Sequence, residues 1–142
     1  MTSEERSVSG PELDYAFLAE FAKVEPNGTL IAIGASYTEI TAQQIPAGHS
    51  LHVAGRIRAP EGRGPMNLAF TFRGPTDGSP TVRIGGELIT EGARPYAGKI
   101  GVLFAVGTTM PLLSEGLHTI DIELEDQIVR RLAFEVRRLV AE

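Results

Sequence analysis

The last quarter of the chain alternates between apolar and polar residues, and this alternation constrains the fold more than any other feature. From Thr119 to Glu125, every even position is isoleucine or leucine and every odd position is threonine or acidic. Successive side chains of a β-strand point to opposite faces of a sheet, so the pattern predicts a half-buried strand. A turn at Asp126-Gln127 and a second alternating run over residues 128–137 complete a predicted terminal β-hairpin.

The parity of this hairpin also predicts which charged residues lie together. Asp121 and Glu123 fall on the same face as Arg131 and Arg137. Opposite charges that face each other across neighbouring strands help to fix the strand register. We therefore expect acid–base pairs on the outer face of the hairpin.

Shorter alternating segments recur through the rest of the chain, separated by clusters of glycine, proline, asparagine and aspartate. This spacing predicts an all-β fold of about eight strands, in which two antiparallel sheets form an immunoglobulin-like β-sandwich. A small β-barrel is the alternative. The length of 142 residues suits one domain. We place that domain at residues 11–142, behind a polar N-terminal tail at residues 1–10 that we expect to be disordered.

The segment at residues 11–22 fits two structures. Leu13, Phe17 and Phe21 follow helical spacing behind a capping-box pattern, but the same segment also alternates like a strand. The Asn27-Gly28 turn that follows is typical of a β-hairpin. We expect a strand here, and a sandwich with an N-terminal helix at residues 11–22 is the alternative.

The segment at residues 99–107 is apolar on both faces of a strand. Leu103 and Ala105 lie on one face, and the even positions from 100 to 106, on the other face, are all apolar as well. A strand that is covered on both faces has this pattern. The segment is therefore either a central strand or an edge strand at a subunit contact. In the second case Leu103 and Ala105 are the candidate interface residues.

Two further segments share their residue pattern with a known family. Residues 17–40, which include VEPNGTLIAIG at 24–34, give an apolar strand with an acidic residue, a glycine turn and a second strand over residues 29–40. Residues 110–126 give a proline, leucines, a glycine, an alternating strand and an acidic turn. In both segments the chain resembles a family of small, uncharacterised bacterial β-sandwich domains. The resemblance implies that fold and a bacterial source, and it implies no activity.

Composition narrows the function classes. The chain has no cysteine, no tryptophan and three scattered histidines, so we expect no cofactor and no metal site. A net charge of −5 disfavours nucleic acid as a partner. Apolar runs are too short to cross a membrane, and the N-terminus lacks a signal-peptide pattern, so we expect a cytoplasmic protein without membrane contact.

Three functional hypotheses remain. The first is a non-catalytic protein-interaction or assembly module that self-associates through a sheet edge or through the strand at 99–107. The second is a small-ligand binding domain for a sugar or an anion, which uses the end loops 60–65 and 91–98 with Arg63, Arg94 and Tyr96. The third, an enzyme, has no recognisable catalytic motif in its favour.

Overall fold

In the computed structural model, which describes residues 10–76 and 79–140, every regular element is a β-strand. The all-β class is therefore confirmed, with eleven strands in these residues instead of about eight. The strands are β1 (Glu12–Ala19), β2 (Phe21–Val24), β3 (Leu30–Ile33), β4 (Glu39–Ala42), β5 (Ala47–Pro60), β6 (Met66–Arg73), β7 (Thr81–Leu88), β8 (Pro95–Tyr96), β9 (Lys99–Leu112), β10 (Gly116–Leu124) and β11 (Gln127–Arg138).

The strands form three sheets. The first has four strands in the order β1-β5-β9-β8, the second has five in the order β4-β11-β10-β6-β7, and β2 and β3 form a separate two-stranded hairpin. The expectation of purely antiparallel pairing is wrong at one place, because β4 runs parallel to β11. The predicted tail at residues 1–10 lies outside the described residues, apart from Gly10. No helix in the described part of the chain has the length and apolarity that a membrane crossing requires.

The helical alternative for residues 11–22 is wrong. These residues form β1, which pairs with β5, and the start of β2. Helix propensity is a weak preference, and the backbone partners that β5 supplies override it.

The hairpin that follows turns at Gly28, whose φ of 85° favours glycine. Its predicted second strand, residues 29–40, is divided into β3 and β4. Gly34 and Ser36 lie between the two strands with φ values of 62° and 67°. A left-handed backbone cannot continue a strand, so the chain leaves the hairpin and joins the second large sheet at β4.

The inner faces of the two large sheets supply one hydrophobic core. Alternate residues of the long strands are buried in it, as the period of two requires. Its largest fully buried apolar side chains include Leu51, Ile57, Met66, Phe72, Leu112, Ile120, Ile122 and Phe134.

The terminal hairpin is confirmed, with β10 and β11 paired from Gly116 and Val136 to Leu124 and Gln127. Its turn falls at Glu125-Asp126, one residue earlier than predicted. Both residues have positive φ, at 50° and 67°, as a two-residue turn of the twisted-hairpin type requires.

The predicted acid–base pairing is confirmed at Asp121, which lies directly opposite Arg131. Arg131 Nε donates to Asp121 Oδ1 at 2.6 Å and its Nη2 donates to Oδ2 at 3.1 Å. Arg73 approaches the same carboxylate to 3.9 Å. The hydrogen bonds from Arg131 hold the pKa of Asp121 below its ordinary value, although the side chain is almost fully buried.

Candidate functional site

Strand β9 is an interior strand for its first two residues and an edge strand for the rest of its length. On one side it pairs with β5 over all fourteen residues. On the other side, β8 pairs only with Lys99 and Ile100. From Gly101 to Leu112, no described strand and no described loop backbone bonds to this outer edge.

The open edge of β9 carries no charge. From Ile100 to Leu113 the sequence contains no acidic or basic residue. Proteins usually protect an edge strand with charged side chains, proline or a covering element, because unpaired backbone groups invite another strand to pair. Strand β7, one edge of the other large sheet, carries Arg83 and Glu87. Strand β9 has no charge in its open stretch and a single proline, Pro111, close to its end, so Gly101–Met110 is the unprotected edge of this pair.

The two-faced apolar pattern of this strand has a local explanation. Val102 and Phe104 face the core. On the opposite face, Ala105 packs against a small cluster of Ala19, Ala22 and Ala54, which the β2–β3 hairpin helps to cover. Ala105 therefore has a contact within its own chain.

An apolar cleft opens between the edge strands β7 and β9. It has a volume of about 170 Å³. Phe104 and Val106 line one wall, and Ile84 and Leu88 of β7 line the other. Gly86 belongs to the β7 wall on the same parity as Ile84 and Leu88, and because no side chain fills the open space there the cleft is not closed at this point. The two sheets thus leave apolar surface accessible beside the unpaired edge.

A second depression lies on the outer face of the first sheet, where β9 begins. This groove, of about 510 Å³, has Gly101 and Leu103 in its floor. The hairpin turn at residues 26–28 forms one wall and the loop at residues 89–95 forms the other. Arg94, Tyr96 and Leu103, three of the five residues singled out in the sequence, line it together.

Arg63 does not join this groove. Its Nη2 donates to Glu125 Oε1 at 2.6 Å, and its carbonyl accepts from the Thr90 hydroxyl at 2.7 Å. The loops 60–65 and 91–98 do touch, since the Glu61 amide donates to the Gly98 carbonyl at 3.2 Å. The Arg63 side chain is nevertheless directed to the β10–β11 turn, so the predicted ligand set is divided between two places.

Arg56 is a groove residue that sequence reasoning did not select. Its Nε donates to Asp14 Oδ2 at 2.7 Å, and its guanidinium lies 5.4 Å from the centroid of the Tyr15 ring. The hydrogen bond to Asp14 raises the pKa of Arg56 above its ordinary value. Parity places Arg56 on a polar face, but only the pairing of β1 with β5 brings Asp14 and Tyr15 beside it.

Comparison with known protein families shows which family the chain belongs to. The profile of DUF6941, a family of unknown function, matches residues 14–137. The chain belongs to the DUF6941 family. The expected resemblance to a family of uncharacterised domains is thereby confirmed.

No curated protein matches this DUF6941 chain in sequence. Among solved structures, it is similar to the alkylpurine DNA glycosylase AlkC of Pseudomonas fluorescens bound to DNA containing an abasic site analog. The identity is 8% and the TM-score is 0.49. The match covers 91% of the DUF6941 chain but only 31% of the glycosylase chain, so the chain spans just under a third of that protein's length.

The DUF6941 chain also holds a cluster of aromatic and titratable rings around Phe134. The Tyr37 hydroxyl lies 3.0 Å from His49 Nε2, and His118 stacks on Phe134 with ring centroids 5.5 Å apart. Burial, together with the charge of Glu20, raises the pKa of Tyr37 to about 12. Tyr37 is therefore a neutral hydroxyl that is hydrogen-bonded to His49 Nε2.

His49 should make the stability of the DUF6941 fold dependent on pH. Burial lowers its pKa below the ordinary 6.5, with Glu20 opposing and His118 adding to the shift. The unfolded chain then binds the proton more readily, so this contribution is present above about pH 6.5 and is lost as the pH falls from there through the lowered pKa of the folded state. In His49→Gln the free energy of unfolding, measured by urea titration, should therefore change less with pH over this range than in wild type.

Asp121 provides an internal comparison for that experiment. Its pKa is lowered from 3.8, so its contribution is lost only at more acidic pH, as the pH falls through the folded-state pKa. An unchanged slope of the free energy of unfolding below about pH 6.5 in His49→Gln would show that His49 is not the responsible group.

Proposed function

We propose that this chain is a non-catalytic interaction module that self-associates by antiparallel pairing of β9 with the β9 of a second copy. The open, uncharged edge from Gly101 to Leu112 carries this proposal. A second strand on this edge would satisfy its outward N–H and C=O groups, as strand addition does elsewhere.

A second copy suits this edge better than an unrelated charged segment. Antiparallel pairing of one strand with itself is compatible with a twofold axis, so the contact closes as a dimer. Because residues 100–113 carry no charge, the two strands place no like charges opposite each other. Both copies of β9 also have the same apolar residues on the same faces, so apolar side chains meet across the contact. The partner would in addition cover the cleft beside Phe104 and Val106.

The proposal includes a finer description of the fold. We infer that the two large sheets are packed as an immunoglobulin-like sandwich. The support is the single core that both inner faces share. In such a sandwich β7 and β9 are neighbouring edges, consistent with the cleft that both strands line.

Leu103→Asp tests the proposed dimer. Leu103 is partly exposed and lies opposite Arg56 in the β5–β9 ladder, so a carboxylate there has a cation beside it within the monomer. In the dimer, antiparallel pairing over Gly101–Leu112 puts each added carboxylate opposite the uncharged β9 of the partner, at an edge that the pairing shields from water. We expect wild type to have about twice the mass of 15.2 kDa by size-exclusion chromatography with light scattering, and the variant to dissociate about tenfold more readily or more.

Ile31→Asp is the matched control. Ile31 is an exposed aliphatic residue on β3, and it lies opposite Lys23, as Leu103 lies opposite Arg56. It lies in a different sheet from β9, so this variant should remain dimeric. A wild type that is monomeric at every attainable concentration contradicts the proposal. A Leu103→Asp dimer as stable as wild type also contradicts it.

A further inference from the structure

The groove on the outer face is built around a glycine. A Cβ placed on Gly101 would lie 3.2 Å from Arg56 Cδ and 3.3 Å from Tyr96 Cε1, which is closer than ordinary contact. The absence of a side chain therefore lets an arginine and a tyrosine pack over the same backbone position. Tyr96 nevertheless keeps 42% of its surface exposed, beside the groove floor.

Arg56 is held in place before any ligand arrives. Two of its nitrogens, Nε and Nη2, donate to the same Asp14 oxygen, and the Tyr15 ring lies beneath the guanidinium. The remaining donors of the guanidinium are not used by Asp14. A fixed arginine loses little conformational entropy when it donates further hydrogen bonds, which favours recognition of a ligand with many hydroxyl groups.

The charges at the groove are balanced. Arg56 and Arg94 supply two cations, while Asp14, paired with Arg56, and Glu91 supply two carboxylates. Donors and acceptors are both available, without the excess of positive charge that an anion site needs. This balance favours a neutral, polyhydroxylated ligand.

We propose that the groove binds a neutral oligosaccharide, with Tyr96 as the stacking platform for one sugar ring. An aromatic ring offers an apolar surface for the C–H face of a sugar, and polar side chains around it fix the hydroxyl groups. Arg56 and Arg94 donate to these hydroxyls, and Glu91 accepts from them. The site is on the face of the sheet and not on its edge, so it does not depend on the dimer.

Saturation-transfer NMR on the full chain tests this site. The probes are neutral oligosaccharides of glucose, N-acetylglucosamine, mannose, galactose and xylose. We expect saturation transfer to at least one of them. Tyr96→Ala should then weaken its binding about tenfold, while Tyr96→Trp should retain it, because the loss of one stacked ring removes an interaction of that order.

Phe21→Ala is the matched control, since Phe21 is as exposed as Tyr96 but packs against His52 outside the groove. It should bind like wild type. The proposal is overturned if wild type shows no transfer to any of these sugars, or if Tyr96→Ala and Phe21→Ala weaken binding equally. Binding of inorganic phosphate or citrate without binding of any sugar overturns it as well.

Discussion

Gly55→Ala is expected to destabilise the fold by about 3 kcal/mol or more. A Cβ on Gly55 would lie 2.2 Å from the carbonyl oxygen of Tyr15 and 2.9 Å from both Ala16 Cα and Phe104 Cζ. Two of these contacts are to the backbone of β1, the strand that pairs with β5, and a backbone cannot move aside as a flexible side chain can. The methyl group must therefore separate β1 from β5 or strain the β5 backbone.

Gly86→Ala is the control for this effect. Gly86 is also in the middle of a strand, but a Cβ there meets nothing within 4 Å. The substitution should leave stability unchanged or raise it by up to about 1 kcal/mol, because alanine restricts the unfolded chain. Urea unfolding of both variants measures the difference. Equal stability of Gly55→Ala and Gly86→Ala would show that β1 does not approach β5 as closely as described.

Phe134→Ala should cost about 3–5 kcal/mol of stability, the range for removing a buried aromatic ring. Phe134 is only 1% exposed and lies at the centre of the ring cluster. Its ring centroid is within 6 Å of the rings of Tyr37, His49 and His118. The cavity would therefore also loosen the Tyr37–His49 hydrogen bond, which holds the connection between β3 and β4 against β5.

Phe21→Ala again serves as the comparison, because Phe21 is 43% exposed and contributes less buried area. Its cost should be about 1 kcal/mol. Thermal unfolding ranks the two variants directly. A smaller loss for Phe134→Ala than for Phe21→Ala would contradict the assignment of Phe134 to the core.

The terminal hairpin could be predicted because its information is local. Alternation from Thr119 to Glu125 fixed the strand, and parity placed Asp121 opposite Arg131. The burial of Asp121 could not be predicted in the same way. It follows from the third strand, β6, which brings Arg73 to the same carboxylate.

The errors have a common cause, which is contact between residues distant in sequence. Residues 11–22 satisfy the helical and the strand pattern equally, and only the pairing with β5 decides between them. The apolar run at 99–107 indicates a strand covered on both faces, but strand order determines that it is open at one edge. Arg63 and Arg94 lie in touching loops, yet the position of Glu125 directs Arg63 away from the groove.

Hydrogen exchange of the β9 amides at two protein concentrations tests the proposed self-association most directly. In an antiparallel edge strand, alternate N–H groups point outward. The proposal predicts that these outward amides between Gly101 and Leu112 exchange slowly in concentrated solution and become fast on dilution, while the amides bonded to β5 remain slow. Fast exchange of the outward amides at both concentrations would contradict pairing along β9.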